Sequence, residues 1–252
     1  MKNDIRIAVA QFNPISGDVE SNINKHLALI KLAINESVDV IIFPELSLTG
    51  YELYLSKNLG FDRKDKRLSV FQNLSDKYKI IIIIGAPILN EDGGVEIGLF
   101  IIRPYTTTTY YSKMHLHEGE TKFFSPGKRE IIFDCKGTFI GLAICADITK
   151  DTHPYNLVSK GASIYLCSML ITSNGYNEDT KILRDYAIKH KLVVAMANFS
   201  GETGGWKATG KSAIWNSNGD LIAKATESVA SIVVGIRENN IWKAKIISYQ
   251  EM

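Results

Sequence analysis

Cysteine is scarce in this chain of 252 residues: Cys135, Cys145 and Cys167 are the whole set. An odd trio without a CxxC pair, and without Cys/His spacing suited to zinc, argues against a disulfide framework and a structural metal. The three read as reduced thiols, and a cytoplasmic location is expected. Long hydrophobic runs are missing too. The longest, around Ile80-Ile-Ile-Ile-Ile84, is far too short to cross a bilayer, so no membrane partner is expected. The opening Met1-Lys-Asn-Asp-Ile5 enters alternating sequence without the apolar stretch of a secretory signal. Neither charge sign dominates. With 29 basic and 27 acidic residues, the net charge of +2 gives no reason to expect nucleic acid. The Lys64-Asp-Lys-Arg67 patch mixes signs and reads as a solvated helix start. A GxGxxG turn after the first strand is absent, which removes the usual dinucleotide fold. No Pro/Gly/Ser-rich linker, repeat or low-complexity stretch divides the chain, so residues 1–252 are expected to form a single domain.

What is present is a strand and helix pattern with a 45% hydrophobic composition, enough for a substantial core. Ile5-Arg-Ile-Ala-Val-Ala-Gln-Phe12 reads as a buried strand. Residues 19–37 read as a helix with Ile23, Leu27, Ile30 and Ile34 on its inner face. A strand is expected at 38–43. A second helix is expected at 64–79, with Leu68, Phe71, Leu74 and Tyr78 inward. The isoleucine run at 80–84 suits a sheet covered on both faces. The middle changes character. Residues 95–102 and 106–112 suggest adjacent antiparallel strands, and 131–134 and 138–144 suggest a hairpin turning at Lys136-Gly137. Helices near 155–160 and 178–190 then alternate with strands at 163–167 and 192–198. Short strands follow near 212–215, 221–223 and 232–236. Helices set between mixed strands predict a layered α/β domain with helices outside and sheets inside.

Three reactive side chains stand where such strands end. Glu45 follows Val40-Ile-Ile-Phe-Pro, Lys113 follows Tyr110-Tyr-Ser, and Cys145 follows Thr138-Phe-Ile-Gly-Leu-Ala-Ile. A free thiol is only a few per cent ionised at neutral pH, so a nucleophilic cysteine needs a base. Glu45 lies in mostly apolar sequence, where burial raises a carboxyl pKa and improves it as a base. Lys113 sits among aromatic and apolar residues, where an ammonium needs a negative partner and can face an oxyanion. The Ala146 N–H, next to the nucleophile, is a second candidate donor. Each residue also has a plain structural reading: a surface glutamate, an edge-strand lysine, a core cysteine. Cys135 and Cys167 fit the core role. His115 and His117 raise a rival Cys–His dyad. Tyr51 and the Ser168-Met-Leu-Ile-Thr172 segment, including Met169, are candidate pocket walls or ordinary packing.

Together these segments resemble the nitrilase or carbon–nitrogen hydrolase superfamily. Ile41-Ile-Phe-Pro-Glu-Leu-Ser-Leu-Thr-Gly-Tyr51, Tyr111-Ser-Lys-Met-His-Leu116 and Gly141-Leu-Ala-Ile-Cys-Ala-Asp147 look like its glutamate, lysine and cysteine motifs, in the family's order. Ile7-Ala-Val-Ala-Gln-Phe12, Ala197-Asn198 and Gly210-Lys-Ser212 also fit, so the resemblance covers almost the whole chain. It implies a four-layer α-β-β-α sandwich and a homodimer or higher homo-oligomer. It implies Cys145 as nucleophile, Glu45 as general base and Lys113 as stabiliser of the tetrahedral intermediate. Glu120 matches the family's second glutamate better than Glu118, on the register of Phe123-Phe-Ser-Pro-Gly127. The implied reaction needs no cofactor and acts on a small amide or N-carbamoyl compound. A nitrilase, or a silent binding module on the same fold, is the alternative. Two places depart from the family's pattern. Ala146 stands where a large residue is common, and Ile148-Thr-Lys-Asp-Thr-His-Pro154 replaces a Leu-Arg-Phe-Pro-like stretch. Both lie beside the sulfur and leave the substrate open.

Overall fold

Two β-sheets lie face to face in the computed structural model, which describes residues 4–249. The reading of residues 1–3 as lacking a leader lies outside the described residues. In chain order the elements begin with β1 (Ile5–Gln11), α1 (Val19–Asn35), β2 (Val40–Ile42), α2 (Ser69–Tyr78), β3 (Ile81–Leu89), β4 (Val95–Ile102) and β5 (Thr109–Ser112). They continue with β6 (Ile132–Cys135), β7 (Thr138–Ile144), α3 (Thr152–Ser159), β8 (Ile164–Met169), α4 (Tyr176–His190) and β9 (Val193–Asn198). The rest are strands: β10 (Ser200–Thr203), β11 (Trp206–Thr209), β12 (Ala213–Trp215), β13 (Leu221–Lys224), β14 (Ser231–Glu238) and β15 (Ile241–Ser248).

The first sheet has the order β15-β14-β1-β2-β3-β4-β5, and the second β13-β12-β9-β8-β7-β6. Each has a parallel centre, β1-β2-β3 and β7-β8-β9, flanked by antiparallel strands. The period of two in a strand sends alternate side chains to opposite faces. Ile5, Ile7, Val9, Ile81 and Ile83 therefore meet Ile140, Leu142, Ile144 and Leu166 between the sheets. Ala8, Ala10, Ile82 and Ile84 face outward onto α1 and α2, with Leu29, Ile30 and Phe71. On the other side Tyr165, Cys167 and Val194 pack with Leu157 of α3 and Leu183 of α4. The result is the four-layer α-β-β-α sandwich.

Several sequence expectations need correction. The strand expected from 106 begins at Thr109, and the helix expected from 64 opens with a 3₁₀ turn at Lys66–Leu68. Tyr78 is 44% exposed rather than inward, because α2 ends beside it. The most buried face of α1 is Asn22, His26, Leu29, Ile30 and Ala33, while Ile23, Leu27 and Ile34 are only partly covered. The hairpin β10–β11 and the edge strand β15 were not expected at all.

Candidate active site

Glu45 and Lys113 arrive from the first sheet and Cys145 from the second. The turn after β2 carries Glu45, Lys113 directly follows β5, and Cys145 directly follows β7. The glutamate turn is set in place from below by α1. His26 Nδ1 lies 2.6 Å from the Asn22 carbonyl and Nε2 lies 2.9 Å from Ser47 Oγ. Ser47 Oγ in turn accepts from the Gly85 N–H at 3.1 Å. This network assigns the neutral imidazole with the proton on Nδ1. Burial agrees, lowering the His26 pKa to about 3 although the Asn22 carbonyl works against it. Gly85 permits the close approach. A Cβ there would sit 2.5 Å from the Pro44 carbonyl oxygen and 2.6 Å from the Leu46 nitrogen. Polar residues occupy the inner face of α1 because they hold the turn that bears Glu45.

Lys113 is fully buried and clamped between two carboxylates. Its Nζ donates to Glu45 Oε1 at 2.7 Å and to Glu120 Oε1 at 2.6 Å. Glu120 also accepts from Tyr51 OH at 2.5 Å and from the His117 N–H at 2.7 Å. Glu118, two residues earlier, is exposed and outside this cluster. Two bonds leave one of the ammonium's three protons for another acceptor. Burial works to discharge Lys113, but Glu45, Cys145 and Glu120 outweigh it and hold its pKa above the usual lysine range.

Burial lifts the Glu45 pKa from 4.5 to about 7, against the pull of Lys113 and with the charge of Glu120 adding to the rise. Oε1 is taken by Lys113, whereas Oε2 is buried and, among the described residues, has no partner at hydrogen-bond distance. Cys145 is near enough for its thiol to favour the ionised carboxylate. The one direct hydrogen bond of its sulfur, at 3.8 Å, is to the Leu170 carbonyl. Burial, then the charge of Glu45, raise the thiol pKa, with Lys113 opposing, so the resting sulfur is protonated. Cys145 remains half-buried, with protein crowding the sulfur on one side and the cleft open on the other. Its backbone has φ 39°, in the left-handed region disfavoured for residues with a Cβ. Ala146 follows in the first turn of a 3₁₀ helix, where the backbone N–H has no partner within the helix.

That elbow is pinned by a residue to which the sequence assigned no role. Asp147 is buried. Its Oδ2 accepts from Tyr111 OH at 2.6 Å and the Ile144 N–H at 3.0 Å. Its Oδ1 accepts from the Met114 N–H at 3.1 Å, the His115 N–H at 2.9 Å and His115 Nδ1 at 3.1 Å. Burial alone would raise its pKa. His115, His153, Tyr111 and the Ile144 N–H more than reverse this and lower it. Behind it Tyr111 OH lies 2.9 Å from His153 Nε2, and His153 Nδ1 lies 3.0 Å from Tyr165 OH. Asp147 thus ties the segment after Lys113 to the turn of Cys145, and it occupies the ring of His115. The only sequence signal was a carboxylate two residues beyond the cysteine.

These groups open into a cleft of about 270 Å³. Glu45, Tyr51, Glu120, Cys145, Ala146 and Met169 line it, so the expected nucleophile, carboxylates and pocket residues share one space. Lys113, buried and bonded to both glutamates, is not itself among the lining residues. His117, Asp179 and Trp206 also face the cleft and were not expected as walls. The segment after β8 is fixed by Asn198, whose Oδ1 accepts from the Ile171 N–H at 2.8 Å and whose Nδ2 donates to Ile171 O at 3.1 Å and Gly210 O at 2.8 Å. Cys135 and Cys167 are buried away from it in the cores.

A model of the carbon–nitrogen hydrolase family matches residues 6–239. A glutamine-dependent NAD(+) synthetase of Thermotoga maritima is 25% identical over 229 residues, covering 86% of this chain but 39% of the synthetase. The chain thus spans less than half the length of that relative. A nitrilase of Pyrococcus abyssi is 24% identical over 250 residues, covering 94% of this chain and 90% of the relative. A cysteine-to-alanine mutant of the amidase from Nesterenkonia sp. AN1, in complex with butyramide, shares the fold at a TM-score of 0.83 and 18% identity, covering 94% of this chain and 92% of that one.

Proposed function

The chain belongs to the carbon–nitrogen hydrolase family, and from that premise we propose that it is a cysteine-dependent amidase of small carboxamides or N-carbamoyl compounds. One observation carries this reading: the unpartnered Oε2 of Glu45, beside a protonated thiol, on a carboxyl whose pKa is about 7. Such a group can accept a proton near neutral pH and give it back, as acyl transfer to sulfur requires.

Cys145 Sγ attacks the carbonyl carbon as its proton passes to Glu45. The oxyanion forms against the remaining Lys113 proton and the Ala146 N–H. A donor in such a position contributes about 2.7–4 kcal/mol to the transition state. The C–N bond breaks as Glu45 returns the proton to nitrogen, and ammonia or an amine leaves. Water then attacks the thioester. Glu45 takes its proton and passes it back to sulfur as the acid departs. Glu120, held by Tyr51 and His117, keeps Lys113 in place and helps orient the water. Met169 and Tyr51 are read as substrate walls.

An amide is favoured over a nitrile because the amidase neighbour carries an amide ligand. The nitrilase relative keeps the nitrile alternative in the test. The same reading takes the protein as a cytoplasmic homodimer acting on a small molecule, supported by its three unpaired cysteines and by the pairing expected of the family.

Ammonia release should be measured across amides, carbamoyl compounds and nitriles. Amide turnover is expected, lost in Cys145→Ala without loss of fold. The acid limb of kcat/KM should be centred near pH 7, the pKa of Glu45, with activity rising as that group ionises. Turnover of nitriles alone, or an acid limb near the ordinary carboxyl value, would overturn the assignment.

A further inference from the structure

The walls of the cleft carry one sign of charge. Among the described residues Glu45, Glu120 and Asp179 line it, no lysine or arginine does, and His117 is its one basic ring. The positive charge of Lys113 is already engaged by Glu45 and Glu120. Asp179 has no such partner. It lies in the first turn of α4, yet among the described residues no hydrogen bond or ion pair engages its side chain. Its Oδ2 lies 3.4 Å from where a Cβ on Gly175 would stand, an ordinary contact distance, and both residues line the cleft. Burial, with Glu178 adding to it, raises the Asp179 pKa, which marks a carboxylate short of compensation.

An aromatic face stands at the same cleft. Trp206 is 51% exposed, at the start of β11. It is held there from both sides of its hairpin. Thr203 Oγ1 accepts from the Tyr51 N–H at 2.8 Å, and the Thr209 N–H donates to Ile171 O at 2.9 Å. Trp206 lines the cleft, and the π-face of an indole attracts cations. The remaining lining includes Ile148, Met169, Leu170 and Ile171, which suit a short methylene chain.

We infer that Asp179 and Trp206 form a subsite for a positively charged amine on the substrate, so that the preferred substrates are amides bearing an ammonium group away from the scissile bond. This rests on the amidase reading and names its substrate class. A cleft with walls of one sign favours the opposite charge and repels its own. A substrate carboxylate would meet Asp179 with no cation to receive it.

Three amides of similar length separate the cases: δ-aminovaleramide, valeramide and glutaramate, which are cationic, neutral and anionic. The expected order of kcat/KM follows that sequence. In Asp179→Asn the cationic-to-neutral ratio should fall about tenfold, equivalent to ~1.4 kcal/mol, mostly through KM. The ratio is independent of how much variant folds. Asp179→Lys should move the preference toward glutaramate. Preference of the native protein for glutaramate, or an unchanged ratio in Asp179→Asn, would overturn the subsite. A second readout needs no turnover: protection of Cys145 from iodoacetamide. Stronger protection by δ-aminovaleramide than by valeramide supports the subsite even if no amide is cleaved, which would defeat the amidase reading alone. Cleavage of all three without charge preference defeats the subsite alone.

Discussion

Replacing Lys113 with methionine keeps the length of the side chain and removes the charge from the centre of the site. The Oε1 atoms of Glu45 and Glu120 now lie 2.7 and 2.6 Å from one ammonium. Without it the two carboxylates face each other, and adjacent carboxylates cannot both stay ionised. Glu120 keeps Tyr51 OH and the His117 N–H, whereas Glu45 Oε1 keeps nothing. The proton therefore goes to Glu45, whose pKa rises beyond its present value of about 7. Each unit of further rise removes about tenfold of the ionised base at neutral pH. Loss of the proposed oxyanion donor costs a further 10²–10³-fold, roughly. At pH 7, kcat/KM should drop by about a thousandfold or more, with its acid limb displaced to higher pH.

Stability should change with pH in a set direction. Removing one partner of a buried ion pair costs roughly 3–5 kcal/mol, and protonation of Glu45 relieves part of that. From the ordinary value of 4.5 up to its own value above 7, the folded variant holds a proton that the unfolded chain has released, whereas native Glu45 gives it up near 7. Its stability therefore falls as pH rises through that window. Urea unfolding at pH 5 and pH 8 would show the larger deficit at pH 8. An acid limb still near pH 7 with less than tenfold loss of activity would refute the reasoning, since Lys113 would then neither tune the base nor hold the oxyanion.

Two other substitutions test the scaffold. Asp147→Asn places an amide NH₂ where either the Ile144 N–H and Tyr111 OH or the Met114 and His115 donors now bond. Stranded buried groups cost about 1–3 kcal/mol each, and a displaced elbow of about 1 Å costs on the order of a hundredfold in kcat; urea midpoints and a split of kcat from KM would check both. For His26, whose folded pKa of about 3 lies below the ordinary 6.5, stability is present above 6.5 and lost as pH falls toward 3. That contribution is on the order of 5 kcal/mol, and a His26→Phe variant should lose less stability between pH 6.5 and 4 than the native protein, as measured by urea titration.

The sequence makes the strand ends legible because buried strands leave unbroken apolar runs, and a charged residue after such a run is conspicuous. Glu45, Lys113 and Cys145 stand out for that reason, and the isoleucines at 80–84 announce a sheet covered on both faces. The rest depends on contacts that one sequence does not encode locally. Hydrophobic spacing selects Ile23, Leu27 and Ile34 as the inner face of α1, but satisfied hydrogen bonds make Asn22 and His26 the deeply buried residues. The edge strand β15 interleaves Lys243 and Lys245 with apolar residues and is largely exposed, so it lacks a core signature. Gly204-Gly205 between Thr203 and Trp206 is a hairpin signal that can be read afterwards. Asp179 and Trp206 come from separate elements, and only the fold brings them into one cleft lining with Cys145.

The proposed chemistry sits on the seam between two independent sheets, so their relative placement has to be fixed at the site itself. Apolar packing between the sheets is non-directional and tolerates small slides, while attack on a carbonyl does not. Directional bonds across the seam remove that freedom. Ser168 Oγ at the end of β8 donates to the Phe43 carbonyl at 2.8 Å, beside the turn of Glu45. Asp147 does the same between the elbow of Cys145 and the backbone after Lys113. Both crossings end within two residues of a reactive group. The precision of the cleft is therefore set by a few buried polar contacts rather than by the large apolar interface, and substitutions at Ser168 or Asp147 should reduce turnover more than their effect on folding would suggest. A Ser168→Ala protein with native kcat and only a lowered urea midpoint would show that packing alone holds the register.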